Sequence, residues 1–311
     1  MFNADVVVYG TINMDLVASV NRFPEIGETI SSNEFNEIPG GKAANQAVAA
    51  QRLGKQVAFV GKVGVDSYGD FLKGKLAQDG ILIEYVSVSA TKATGSSIIL
   101  VDEEGQNIIV TNQNANNELT KEDVDSSLEI AKRAKAVLLQ LEMKKDVAEY
   151  LIHTFRKLNI PLFLNLAPVV PLDPQLRRSV DFLIVNEIEA EQLTGFKVKD
   201  IAEARLIVEK LMAEGHRQVI LTLGKEGAVV GEENIITHVE SPKVQAVDST
   251  AAGDCFSGAL VTYWLEEKNL LEATKKAAVA AAISVTRKGA QPSIPTKSEV
   301  EDFIKENNHI F

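Results

Sequence analysis

Short apolar runs rich in β-branched residues alternate along the chain with stretches whose apolar residues recur every three or four positions. The first kind occurs at Val6–Tyr9, Val57–Val60, Ala136–Leu141, Leu162–Asn165, Phe182–Val185 and Val219–Thr222. Near-continuous apolar runs of this length predict strands covered on both faces, as in a parallel sheet. The second kind predicts helices at Ala43–Leu53, Tyr68–Gln78, Lys121–Lys132, Asp146–Leu158, Ala202–Met212, Asp254–Lys268, Leu271–Arg287 and Ser298–Glu306. Gly54, Gly80 and Gly215 stand where C-terminal caps belong. The βαβα rhythm predicts an α/β fold, a doubly wound and mostly parallel sheet flanked by helices.

Two stretches break the rhythm. Residues 12–39 read as strands and turns, and in residues 94–111 the runs Ser97–Val101 and Asn107–Thr111 flank the turn Asp102–Gly105, a hairpin signal. They are expected to meet as a small antiparallel sheet over one end of the main domain. The expected division is therefore an α/β domain of residues 1–11, 40–93 and 112–311, with a discontinuous β lid of residues 12–39 and 94–111. No repeat of 20–50 residues and no low-complexity tract interrupts this organisation.

Composition narrows the function. The 311 residues could form two average domains or one large α/β sheet, and 45% hydrophobic with 24% charged residues is ordinary for a globular protein. A net charge of −11 argues against nucleic-acid and acidic-membrane partners, which recruit basic surfaces. The single cysteine, Cys255, cannot close an intrachain disulfide, and the first ten residues lack a basic segment followed by an apolar one. No apolar run approaches membrane-spanning length. A cytoplasmic protein is expected.

The motif search removes several chemistries. No glycine is followed by another two positions later, so the dinucleotide fingerprint is absent. Residues 69–76 approach a phosphate-binding loop but end in Leu76 instead of Ser or Thr, and they lie inside a helical pattern. His153, His216, His238 and His309 have no metal-ligand spacing and read as solvated or core histidines, and no Gly-x-Ser-x-Gly nucleophile elbow exists.

Three constellations remain. In residues 248–259 a turn of small residues opens a helix, and Ala251, Ala252 and Gly253 would let an anion reach the backbone N–H groups at the helix start. Asp254 stands at that same end, with Asp248 on the other flank. The stretch also suits a plain helix cap with close packing through Gly258 and Ala259. In residues 38–54, Gly40 and Gly41 precede Lys42 and Asn45 on the first helical turn, either as a tight turn or as a backbone approach to a ligand. Asn13 and Asp15 follow the first strand, so Asp15, Asn13, Asn45 and Lys42 make a donor and acceptor set at one sheet edge, suited to a polyol. Polar residues at strand exits form the third set: Glu142, Asn165, the run Asn186–Glu191 and the turn Thr222–Gly227. The run Asn186–Glu191 also reads as an acidic first helical turn, and Thr222–Gly227 as a strand-to-strand turn.

The runs GGKAANQAVAA and DSTAAGDCFSGA, about 210 residues apart and in this order, resemble the two signatures of the ribokinase-like, phosphofructokinase-B sugar kinases. The resemblance extends from GTINMD through NEIEAEQLTG to VTRKGAQPSIP, essentially the whole chain. It implies ATP-dependent phosphorylation of a primary hydroxyl on a pentose, D-ribose foremost. Within the family, 2-deoxyribose, fructose, 2-keto-3-deoxygluconate and nucleosides are the alternatives, and a non-catalytic sugar- or nucleotide-binding regulator is the remote one.

Residue by residue, the resemblance implies Asp254 as catalytic base and Ala251, Ala252 and Gly253 as the anion hole. Asn13, Asp15, Gly41, Lys42, Ala43, Ala44, Asn45 and Glu142 would bind the sugar with Asp254. Asn186, Thr222, Gly224, Lys225, Glu226, Gly227 and Ala278 would join Gly253 and Asp254 at the nucleotide. Glu189 would organise magnesium through water. Asp248, Thr250, Ser284, Arg287, Gly289 and Ser293 would surround a monovalent cation, potassium first. The lid would form a homodimer contact. Two positions depart from the family pattern. The chain reads QNANNEL at 113–119 where Gly-Ala-Asn is usual, and Ala278 replaces a His or Asn beside the adenine. Weaker or shape-based base contacts are expected there.

Overall fold

The computed structural model describes residues 3–307, so His309 lies outside the described residues. The described residues form thirteen strands: β1 Val6–Tyr9, β2 Asn13–Ser19, β3 Glu34–Gly40, β4 Val57–Gly64, β5 Val86–Ser89, β6 Gly95–Val101 and β7 Asn107–Asn112 in the first part of the chain. They are followed by β8 Ala136–Leu139, β9 Leu162–Asn165, β10 Phe182–Asn186, β11 Gln218–Thr222, β12 Ala228–Glu232 and β13 Ile235–Val239. Nine of them form one sheet in the order β13-β12-β11-β10-β9-β8-β1-β4-β5. All its pairings from β11 to β5 are parallel, and β12 and β13 close one edge antiparallel.

The wholly buried β1 shows why its sequence carries no polar alternation. Val6 and Val8 pack into the core on one face, Val7 and Tyr9 into the core on the other. The first face is covered by α1 (Lys42–Arg52), α2 (Ser67–Gln78) and the later C-terminal helices; the second by α3 (Lys121–Ser126), α4 (Leu128–Ala131), α5 (Lys145–Leu158), α6 (Pro174–Ser179), α7 (Glu187–Thr194) and α8 (Ile201–Ala213). Three long C-terminal elements, α9 (Ala252–Glu267), α10 (Leu270–Ser284) and α11 (Lys297–Glu306), complete the first face. The near match to a phosphate-binding loop lies inside α2, as its helical pattern predicts.

The small sheet has the order β3-β2-β6-β7 and joins both lid stretches. Its hairpins β2–β3 and β6–β7 are antiparallel, but β2 and β6 pair in parallel, which corrects the expectation of a wholly antiparallel sheet. The reason lies in the connections: β2 continues from β1 and β6 follows β5, so both leave the carboxyl ends of parallel strands in one direction. The helix expected over Lys121–Lys132 is broken at Ser127, whose hydroxyl turns back to Val124 O and meets the buried Tyr9 hydroxyl at 2.7 Å.

Candidate active site

The strand order of the large sheet reverses between β1 and β8, since β1 leads to β4 and β5 on one side and β8 leads to β9, β10 and β11 on the other. Such a switch point leaves a crevice at the carboxyl ends of the strands. Here the crevice is filled by the starts of α1 and α9. Helix α9 is held to the sheet by Trp264, which meets Phe182 at 4.8 Å and Phe163 at 5.5 Å, edge to face. Those two rings are themselves stacked at 3.8 Å, and aromatic pairs of this kind add roughly 0.5–1.5 kcal/mol beyond burial.

Where α9 crosses α1 there is no room for a side chain. A Cβ on Gly258 would lie 2.4 Å from Gln46 O and 2.7 Å from Ala49 Cβ. This close crossing brings the first turn of α1 onto the first turn of α9. Asn45 Nδ2 donates to Asp254 Oδ2 at 2.9 Å, and Gln46 Nε2 donates to Asp254 Oδ1 at 3.0 Å. Ahead of α1, Gly41 has φ 92°, and a Cβ there would lie within 2.9 Å of Asn13 N, Thr11 O and Ile12 Cα. Only glycine admits both that conformation and that approach. Ala43 and Ala44 are fully buried, and Ala44 N donates to Thr11 O at 3.1 Å, tying the helix start to the link between β1 and β2.

Glu142, just beyond β8, accepts from Thr11 Oγ1 at 2.6 Å and stands 3.8 Å from Lys42 Nζ. Asp15 on β2 reaches the same region, and a Cβ on Gly40 would sit 2.0 Å from its Oδ2. Asn13 is buried, and its Oδ1 accepts from Asn116 Nδ2 at 2.7 Å. Asn116 also accepts from Ile12 N through its own Oδ1, at 3.1 Å. The QNANNEL departure is therefore narrow. Asn114 takes the left-handed backbone position, φ 44°, that asparagine tolerates after glycine, while Ala115 and Asn116 are buried beneath the site.

Four carboxylates, Asp15, Glu142, Glu189 and Asp254, face one amine, that of Lys42. Burial pushes the Asp15 carboxyl up to about 6, helped by the nearby Glu142 and Asp254. Burial also raises Asp254, against the pull of Lys42 and the two amides, and raises Glu189 against its backbone partner Asn186 and Lys42. Burial works against the charged form of Lys42, but the carboxylates of Asp254, Glu142, Glu189 and Asp15 outweigh it and raise its pKa.

A cleft of ≈ 180 Å³ adjoins this set, lined by Lys42, Asn186, Glu189, Thr222, Ala251, Ala252, Gly253 and Asp254, with Asn165, Ala167, Ile184 and Ser249. Asn186 caps α7 and Glu189 returns the bond, each at 2.8 Å, so the acidic run is both a capping box and one wall of the cleft. Ala251 has φ 59°, a left-handed conformation that costs a non-glycine residue roughly 1–2 kcal/mol. A Cβ on Gly253 would meet nothing, because the residue faces the open cleft.

Other expected residues lie further out. Lys225 and Glu226 are exposed in the turn Gly224–Glu226, and Gly227 (φ 91°) ends that turn under Val239 O. Ala278 is buried within the core of α10 and does not line the cleft. Behind the turn that opens α9, Asp248 accepts from Thr250 N at 2.9 Å, Thr250 Oγ1 at 2.6 Å and Gly289 N at 2.8 Å. Although burial opposes it, these bonds hold its carboxyl below the ordinary range. Ser284 and Ser293 turn their hydroxyls to Ala281 O and Ala290 O, and Arg287 pairs with Glu299. Their backbone turn therefore packs directly against Asp248. Cys255, next to the acid, is buried, and burial pushes its thiol up to about 12.

Sequence reasoning did not find Thr11, Gln46, Asn116, Gln140 or Ser249. The partners of Thr11, Gln46, Asn116 and Gln140 lie on other elements, so no local spacing marks them, and Ser249 shows only as a wall of the cleft.

The pfkB family carbohydrate kinase description matches residues 3–297. The chain is 39% identical over 298 residues to a ribokinase of Haemophilus influenzae, covering 96% of this chain and 97% of that one. It is 34% identical over 304 residues to a deoxyribokinase of Salmonella typhi, covering 97% and 99%. The structure of Arabidopsis thaliana ribokinase complexed with ribose and ATP superposes with a TM-score of 0.89 at 30% identity, covering 98% and 99%.

Proposed function

Because the chain belongs to the pfkB family of carbohydrate kinases, we propose that it transfers the γ-phosphoryl group of ATP to the primary hydroxyl of a pentose, D-ribose foremost. The observation that carries this reading is Asp254: an acid at the start of α9, gripped by one amide on each oxygen, beside Lys42 and an open helix N-terminus. The hydroxyl oxygen attacks the γ-phosphorus, its proton passes to an Asp254 oxygen, and ADP leaves from the opposite side. The N–H groups of Ala251, Ala252 and Gly253 would receive charge on the transferring oxygens, aided by the helix dipole. Positioning and charge stabilisation are most of what phosphoryl transfer asks of a protein.

Asn13, Asp15, Gly41, Lys42, Asn45 and Glu142 would hold the sugar. Asn45 Oδ1 is buried without a partner among the described residues, and a sugar hydroxyl would donate to it. Asn186, Thr222 and Gly224–Gly227 would flank the nucleotide. No group of three or more His, Cys, Asp or Glu side chains able to hold a metal occurs among the described residues, which suits magnesium carried by the phosphates and by water at Glu189. Magnesium, when bound, neutralises charge on the phosphates. The hard oxygen donors of Asp248 and the facing turn at Ser284, Arg287, Gly289 and Ser293 would suit potassium. No helix among the described residues is long and apolar enough to cross a membrane, and a buried, unpaired cysteine suits the cytoplasm. Residues 12–39 and 94–111 would close over the sugar as a lid.

ADP release across a sugar panel tests the reading. D-ribose should give the highest kcat/KM, with 2-deoxyribose lower because a site built to bind a hydroxyl rejects an analogue lacking it. A preference for 2-deoxyribose or fructose would overturn the ribose assignment. Asp254→Asn should lose roughly 10²–10⁴ in kcat, the usual contribution of a positioned base.

A further inference from the structure

Gln46 and Gln140 are not among the sugar, nucleotide or cation positions proposed above, yet both are buried, at 0% and 1% exposure. Gln140 follows β8 and lies at the switch point beside Gly10, which follows β1. A Cβ on Gly10 would stand 2.6 Å from Gln140 Oε1, so the glycine leaves the space this amide fills. Gln140 Nε2 donates to Gln46 Oε1, and Gln46 Nε2 donates to Asp254 Oδ1 at 3.0 Å. The order of donors is fixed from the carboxylate end. Turning the Gln46 amide over would set its oxygen against Asp254 and its NH2 against the NH2 of Gln140. Gln140 Oε1 is left buried with no partner among the described residues. A buried amide with half its capacity unused is costly, and that cost is accepted here to aim the other half.

We propose that Gln140 and Gln46 form an amide relay, anchored at the sheet switch point, which positions Asp254 and keeps it ionised for proton abstraction. Both are positioning residues. The proposal rests on the reading of Asp254 as base.

The physical need is clear from what surrounds Asp254. Glu142 beyond β8, Glu189 on α7 and Asp15 on β2 oppose its ionised form, Cys255 beside it is neutral, and only Lys42 on α1 brings a positive charge. Burial pushes the carboxyl up. Two N–H donors, one per oxygen, act in the other direction, because hydrogen bonds to the charged form favour it. Asn45 and Gln46 supply one each, but Asn45 also faces the sugar. Gln46 is the donor that no substrate displaces.

The test replaces each glutamine by methionine, which nearly conserves volume and removes the polar groups. In Gln46→Met, kcat should fall roughly tenfold at neutral pH, and the acid limb of the kcat–pH profile should move up by about one unit. The limb moves upward because losing a donor destabilises the carboxylate. Gln140→Met should shift the limb in the same direction by less. The double variant should match Gln46→Met, since both act through one bond. KM for sugar and for ATP should stay within about twofold, as neither glutamine lines the cleft. An unshifted limb in a folded Gln46→Met protein overturns the relay. If Gln46→Met does not fold, an unshifted limb in Gln140→Met does so. Asp254→Asn separates the two levels: residual turnover near wild type would fault the base assignment itself, whereas an inactive Asp254→Asn with unshifted glutamine variants would fault only the relay.

Discussion

Asp15, proposed to hold the sugar, carries a cost in stability at neutral pH. Its carboxyl is half-buried on β2 and raised to about 6 by burial, with Glu142 and Asp254 adding to the effect. A raised folded-state pKa means that the folded chain binds more protons than the unfolded chain between roughly pH 4 and 6. The residue's contribution to stability therefore declines as pH rises through that window and stays unfavourable above it. The Ser97 hydroxyl donates to the Asp15 carboxyl, and Asp15→Asn keeps an acceptor for it while removing the charge. It should stabilise the protein at pH 8 by about 1–2 kcal/mol, with little effect at pH 4, where the native acid is already neutral. Thermal unfolding at the two pH values checks this, and a less stable Asp15→Asn at pH 8 would contradict it. Sugar KM should rise in the same variant. At this scale the sequence was half legible. Asp254, Asn45 and Lys42 stand out because two local motifs frame them. Gln46 and Gln140 do not, because their bond joins residues 94 positions apart, and the bond from Gln46 to Asp254 spans 208. Asn116, read only as part of a departure, owes its role to Ile12, 104 positions away.

The elements were more legible than their meetings. Strands β1 and β9 and most helices follow directly from apolar periodicity, since each buries its own pattern. The parallel pairing of β2 with β6 and the break at Ser127 arise from contacts between distant segments, and no periodicity announces them. The crossing of α1 and α9 is intermediate. Gly258 could be read as a packing glycine, but what it packs against could not. Gly258→Ala sharpens the point, because alanine is the better helix former by roughly 1 kcal/mol and on propensity alone should stabilise α9. The added Cβ would instead meet Gln46 O at 2.4 Å, and a backbone carbonyl cannot swing aside. Overpacking of this kind costs about 1–3 kcal/mol, so the variant should unfold at lower temperature than wild type. It should also lose kcat out of proportion to sugar KM, because the displaced residue is the one that holds Asp254. A Gly258→Ala protein of raised Tm and full activity would show that the helices part without consequence.

At the scale of the whole molecule, the net charge and the exposed apolar surface pull in different directions. An overall charge of −11 keeps copies apart. Yet the edge strand β7 is exposed along its entire length, with Ile108, Ile109 and Val110 at 46%, 53% and 56% exposure, and Phe35 on the other edge strand at 57%. An apolar edge strand with free backbone groups is a pairing surface, and proteins that leave one open without charge or proline generally cover it. We propose that a second copy of this chain covers it, joined through its own small sheet, which would also steady that sheet over Asp15. Side chains alternate across a strand, so Ile109 and Val110 point to opposite faces of the small sheet. Ile109→Lys combined with Val110→Lys therefore places a charge on each face and on the edge. In sedimentation experiments wild type should run as a dimer at micromolar concentration and the double variant as a monomer. Wild type that stays monomeric at that concentration would refute the dimer. The monomeric variant should keep its ATP affinity, since Asn186, Glu189 and Thr222 lie on the large sheet and its helices. Its sugar KM should rise, because Asn13 and Asp15, the residues proposed to hold the sugar, lie on β2 of the small sheet.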